Sequence, residues 1–111
     1  MDKEIKIKEV SIKGKKITIE DKGKEVAHAY IYLIKNDLHE QAYAFLEDVY
    51  VDEEYRNQGL GKKIVQKAIA EAKHLGCKKI IGTSRYSREK VHQFYLNLGF
   101  QDYGKEFRID F

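Results

Sequence analysis

Val49-Tyr50-Val51-Asp52-Glu53-Glu54-Tyr55-Arg56-Asn57-Gln58-Gly59-Leu60-Gly61-Lys62 decides how this chain is read. A β-branched and aromatic stretch runs into a turn containing Arg-x-x-Gly-x-Gly, and a helical period begins immediately behind it. Two glycines let the backbone pass close to a ligand, and the first turn of the helix leaves its N–H groups without partners. Those donors, with the positive end of the helix dipole, suit a phosphate or pyrophosphate.

Outward from this stretch the pattern differs on the two sides. Downstream, Leu60, Ile64, Val65, Ala68, Ile69, Ala72 and Leu75 recur at three-to-four spacing, with Gly76 as the expected helix end. Lys79-Ile80-Ile81-Gly82 reads as a short strand. Ser87 is placed to cap a second helix with inner face Val91, Phe94, Tyr95 and Leu98, ended by Gly99. Phe100–Tyr103 and Phe107–Phe111 read as two last strands turning at Gly104. Upstream the signal is strands: Ile5 and Ile7, Val10 and Ile12, then Ile17–Ile19, a turn at Asp21-Lys22-Gly23-Lys24, Val26–Ile34, and a strand from about Ala42 to Val51. This predicts an antiparallel meander of about four strands before the first helix.

Composition sets limits. At 111 residues, 42% hydrophobic and 35% charged, residues 1–111 are expected to fold as a single domain around one core. No apolar run approaches the roughly 18 residues of a membrane span. The net charge of +3 is too mild to indicate nucleic acid, and no basic stripe carries exposed aromatics. Cys77, the single cysteine, cannot close a disulfide within the chain, which fits a reducing cytoplasm. His28, His39, His74 and His92 have no ligand spacing, so no metal is expected.

Two segments in this order resemble one family. Arg56-Asn57-Gln58-Gly59-Leu60-Gly61, behind Val49-Tyr50-Val51, resembles the acetyl-CoA pyrophosphate loop of the GNAT superfamily of N-acetyltransferases. Phe94-Tyr95-Leu96-Asn97-Leu98-Gly99-Phe100 is similar to that family's Phe-Tyr-x-x-x-Gly-Phe segment on its last helix. The resemblance covers about Phe45 to the C-terminus. It implies an α/β (α+β) fold with a curved, mostly antiparallel sheet and two main helices, of the acyl-CoA N-acyltransferase type. A nucleotide P-loop is excluded, because Gly61-Lys62-Lys63 lacks its Ser or Thr and its upstream glycine spacing. The opening meander argues against a dinucleotide fold.

By position, the resemblance implies that the backbone of Val49, Tyr50 and Val51 pairs with the pantetheine arm of acetyl-CoA. It also implies that Asn57, Gln58, Gly59, Leu60, Gly61 and Lys62 cradle the pyrophosphate, with Arg56 and Lys62 adding charge. The implied reaction is direct acetyl transfer to an amine. Such an amine, with a pKa near 10, costs roughly 4 kcal/mol to deprotonate at pH 7, and the leaving thiolate benefits from a proton donor. Tyr95, the tyrosine of the second segment, is the expected donor. Glu47 is the expected base. By simple alternation it shares parity with Phe45, Val49 and Val51, which sets a carboxylate on an otherwise apolar face. The stretch Leu46-Glu47-Asp48 is similar to that of the polyamine acetyltransferases, and Asp48 is expected on the other face, solvated.

The chain departs from the family pattern in three places. Glu53 stands where proline is usual, and Arg88 where many members place an asparagine that contacts the cofactor, so Arg88 is expected to reach a phosphate instead. No helical period occurs between Glu4 and Val51, where the family commonly has two helices. The acceptor side is therefore expected to be open or completed by a second subunit, as in a homodimer. The expectation is an acetyl-CoA-dependent N-acetyltransferase acting on a primary amine of a small molecule or a protein, without nucleic acid or membrane. The alternative is a non-catalytic acyl-CoA-binding or protein-interaction module of the same fold.

Overall fold

A computed structural model describes residues 3–111. Three long strands, β1 (Lys13–Asp21), β2 (Lys24–Ile34) and β3 (Tyr43–Val51), form an antiparallel meander, and a short β4 (Ile80–Gly82) joins β3 in parallel. The sheet order is β1-β2-β3-β4. Helix α1 (Leu60–His74) links β3 to β4 as a crossover, and α2 (Glu89–Asn97) follows β4. Each element has a visible cause. Lys22 and Gly23, at φ 52° and 79°, form the tight turn that lets β2 fold back on β1. Alternation in β2 sends Ala27, Ala29 and Ile31 to one face, and His28, Tyr30 and Tyr32 to the other.

The aliphatic face is the core. Ile64, Val65 and Ala68 of α1 lie against Ala27, Ala29, Ile31 and Leu46, all essentially without solvent contact. The alanines of β2 let the helix come close, and burial of a side chain such as Ile64 contributes about 1.5–3 kcal/mol. Phe94, Tyr95, Leu98 and Phe100 pack at the edge of the same cluster, so α2 sits beside α1 rather than on the aromatic face. Lys15 reaches Glu71 at 3.2 Å across the first strand and the helix. No helix among the described residues is long and apolar enough to cross a membrane.

The middle of the chain follows the sequence pattern closely, and the ends do not. The expected strands at Ile5–Ile12, Phe100–Tyr103 and Phe107–Phe111 are absent: those segments have no paired neighbour, and a strand exists only where its backbone groups find partners. The meander therefore has three strands, and the fourth strand of the sheet is the parallel β4. Ser87 does not cap α2. Its N-cap is Arg88, without a side-chain hydrogen bond, and the helix begins at Glu89.

Candidate active site

The site begins with an irregularity in β3. Glu47 pairs with Tyr30, but Tyr50 pairs with His28, so β3 carries one residue more than β2 across this interval. Asp48 absorbs the excess at φ 50°, in the left-handed region. The extra residue reverses the alternation. Ahead of it Leu46 faces the core, and beyond it Val49 and Val51 do, while Glu47 stays with Phe45 on the aromatic face. The parity expected from the sequence, with Glu47 beside Val49 and Val51, is thus corrected by the bulge.

The bulge also turns the backbone. Ala44 donates its N–H to Lys79 O at 2.9 Å, toward β4, whereas Asp52 donates to Val26 O at 2.8 Å, toward β2. Beyond Asp48 it is therefore Val49 and Val51 whose peptide groups turn toward the β4 side. Pairing with β4 has ended by then, since its last partners are Leu46 and Gly82. A gap opens there between β3 and the chain leaving β4. Tyr50 points its backbone the other way, into the pairing with His28. Of Val49, Tyr50 and Val51, it is thus the two odd residues whose peptide groups face away from β2.

The turn after β3 ends at the open start of α1. Arg56 donates from Nε to Val51 O at 2.9 Å, and its guanidinium lies 5.3 Å from the Tyr50 ring centroid. Tyr55 donates its hydroxyl to Asp21 Oδ2 at 2.8 Å, which ties the turn to the β1–β2 hairpin and raises the Tyr55 phenol above its ordinary value. Asn57 and Gly59 are both left-handed, at φ 63° and 79°. Gly59 is the N-cap of α1, no side chain caps it, and no acidic residue stands in the first turn. The first helical donor is Lys63, bonding to Gly59 O at 3.1 Å, so the N–H groups of Leu60, Gly61 and Lys62 have no intrahelical acceptor. A Cβ on Gly61 would lie 3.8 Å from Phe94, so this turn sits directly against the second family-like segment. Uncapped donors and the positive end of the helix dipole, with no acidic side chain in the first turn, are features that suit an anion.

Tyr95, on α2, packs against the edge of the core cluster. Its ring packs edge-on against Phe94 and Phe100, with centroids 5.4 and 5.1 Å away. Burial pushes its phenol above the usual tyrosine value. Arg88 opposes the shift and Glu47 adds to it. The charges of Glu47 on β3 and of Arg88 at the N-cap of α2 therefore both lie within electrostatic reach of the Tyr95 hydroxyl.

The aromatic face, left without helices, carries a groove of about 520 Å³ lined by Ile12, Tyr30, Tyr32, Ile34, Phe45, Glu47 and Asp48. Tyr30 and Tyr32 lie parallel, 6.2 Å apart. His28 stands between two carboxylates, 3.4 Å from Glu25 and 3.3 Å from Asp48, and stacks on Tyr50. Asp48 thus shares the groove with Glu47 instead of facing away. The groove aromatics were not singled out from the sequence, although the alternation His28-Ala29-Tyr30-Ile31-Tyr32 carried the signal. Burial pushes the Cys77 thiol up, as suits a small half-buried residue before a strand.

A short open sheet with a bulged, splayed strand, and an uncapped helix start beside the splay, defines an acyl-CoA-type transferase fold. The chain belongs to the acetyltransferase (GNAT) family, whose pattern matches residues 9–100. It is 37% identical over 70 residues to a glucosamine 6-phosphate N-acetyltransferase of Trypanosoma brucei brucei, covering 63% of this chain and 46% of that one. It is 38% identical over 58 residues to a thialysine N-epsilon-acetyltransferase of Bos taurus, covering 52% and 34%. The crystal structure of a Trypanosoma brucei acetyltransferase superposes with a TM-score of 0.76 at 31% identity, covering 90% of this chain and 69% of that one. The chain spans less than half the length of the two curated relatives.

Proposed function

We propose that this chain transfers the acetyl group of acetyl-CoA directly to a primary amine of a small molecule or a protein. The observation that carries the proposal is the uncapped start of α1, reached by a short turn from the part of β3 that β4 leaves unpaired, with the Glu47 charge within electrostatic reach of Tyr95. In this reading Val49 and Val51 offer peptide groups to the pantetheine arm, and Tyr50 supports Arg56 from below. Asn57, Gln58, Gly59, Leu60, Gly61 and Lys62 surround the pyrophosphate, while Arg56 and Arg88 add positive charge.

Glu47 takes a proton from the substrate ammonium. The freed nitrogen attacks the thioester carbonyl, the carbon–sulfur bond breaks, Tyr95 gives its proton to the departing thiolate, and the second proton lost from the acylated nitrogen restores the phenol. A phenol held above its ordinary value remains protonated at neutral pH and is available for that step. The named relatives act on glucosamine 6-phosphate and on thialysine. The groove here carries Glu47 and Asp48 and no basic lining residue, which suits a cationic amine better than a phosphosugar. A homodimer belongs to the same reading, because this face has no helical wall of its own.

Calorimetric titration with acetyl-CoA, free CoA and ATP tests the proposal, followed by thiol release across a panel of amines. Micromolar acetyl-CoA binding that Gly59→Asp weakens at least tenfold is expected, since the added carboxylate would face the anion site. Failure to bind either CoA species would refute it.

A further inference from the structure

The aromatic face of the sheet is built in rungs, and successive rungs offer a ligand different chemistry. Glu47 stands opposite Tyr30, which stands opposite Lys16, so one rung carries charge. Two residues further along the strands, Phe45 stands between Tyr32 and Ile81, and this rung is apolar. Ile12 and Ile34 line the groove one rung further out. Gly14 is the β1 partner of Tyr32, and a Cβ there would meet the tyrosine ring at 2.8 Å. Glycine at this position lets the Tyr32 ring lie across β1, parallel to Tyr30.

Most carboxylates of this face already have a nitrogen in ion-pair range. Glu25 lies 2.8 Å from Lys16, and Asp48 lies 3.3 Å from His28. Glu47 differs, because among the described residues no cation comes within ion-pair distance of it. The groove thus offers one carboxylate without a cation, followed by aromatic and branched aliphatic side chains. We propose that its ligand is a monocationic arylalkylamine, with the ammonium on Glu47 and the aromatic ring on the rung of Tyr32 and Phe45. Two strand residues separate these rungs by about 7 Å, which a linker of about two to three carbons spans. A ring placed there gains apolar burial and edge or offset contacts with two aromatic side chains. A polyamine would instead lay its second ammonium on that apolar rung, where no carboxylate offsets the loss of water. The proposal rests on the acetyl-transfer reading for turnover, whereas the choice of ligand is measurable without cofactor.

Titration of the full chain with phenethylamine and with putrescine, followed by the aromatic carbon–proton resonances, is the test. Phenethylamine is expected to bind about tenfold tighter or more, and to move the ring signals of Tyr32 and Phe45. Ile12→Asp sets a second carboxylate along the groove at a position 53% exposed and outside the core, and should turn the preference toward putrescine. Gly14→Ala displaces the Tyr32 ring and should weaken phenethylamine more than putrescine. In the presence of acetyl-CoA, thiol release should rank the two amines in the same order of kcat/KM. Tighter binding of putrescine by the wild type would overturn the proposal, and so would ring signals that stay still. A preference indifferent to both substitutions would overturn it as well, since the ligand would then sit elsewhere. Failure to bind acetyl-CoA would refute acetyl transfer alone, and the order of the two amines would still decide what the groove takes.

Discussion

Glu47 and Val49 stand two residues apart in one strand yet face opposite sides of the sheet. Asp48 between them, at φ 50°, supplies the extra residue that turns one carboxylate to the groove and one valine to the core. The same residue ends the regular ladder where the gap toward β4 opens, so the strain and the site share one origin.

That bulge should be sensitive to side-chain shape. Asp48→Val is expected to cost about 1–2 kcal/mol, because a β-branched residue resists a left-handed conformation. Asp48→Gly should leave stability within about 0.5 kcal/mol, since it loses only an exposed contact with His28. Urea unfolding of the three proteins checks the order.

Tyr95→Phe keeps the ring and its packing on Phe94 and Phe100 but removes the proton. Turnover should fall about 10²-fold while calorimetric acetyl-CoA affinity stays within a factor of two. An equal loss in both would show that the tyrosine acts through packing instead.

The Tyr95 phenol should titrate above the ordinary tyrosine value, mainly because it is buried. The sign for stability follows. A raised folded value means the contribution is full below the ordinary phenol value and is lost as pH rises through the folded one. Ultraviolet difference titration of the wild type against Tyr95→Phe reads the step. Glu47→Gln should move it downward only in part, because burial is the larger cause.

Ile31, without solvent contact and surrounded by α1 and Leu46, carries much of the core. Ile31→Ala should cost about 2–5 kcal/mol in urea unfolding, from lost burial and the cavity left behind.

Much of this was legible in one dimension. The period of α1, from Leu60 to His74, and the turn at Lys22-Gly23 are local, and they appear where the pattern put them. The loop Arg56–Lys62 was legible too, because a backbone that must turn left-handed and leave donors free selects glycine at a definite place. The groove of Tyr30, Tyr32 and Phe45 was overlooked, although its alternation is plain once β2 is known to have one covered face.

The two ends of the chain mark the opposite case. Ile5, Ile7, Phe107, Ile109 and Phe111 alternate with charges as strand residues do, and the sequence cannot say whether a partner strand exists. By itself the sequence determined the three long strands, the two helices, the glycine-bearing turn before α1 and the family, because those depend on side-chain period and backbone freedom over a few residues. Only the tertiary structure decided that Asp48 reverses the alternation of β3, that the charge of Glu47 reaches the Tyr95 hydroxyl, and that the two ends find no sheet in a single chain. Each of these depends on hydrogen-bonded register between segments far apart in sequence, and one inserted residue in a ladder is enough to move every side chain beyond it to the other face.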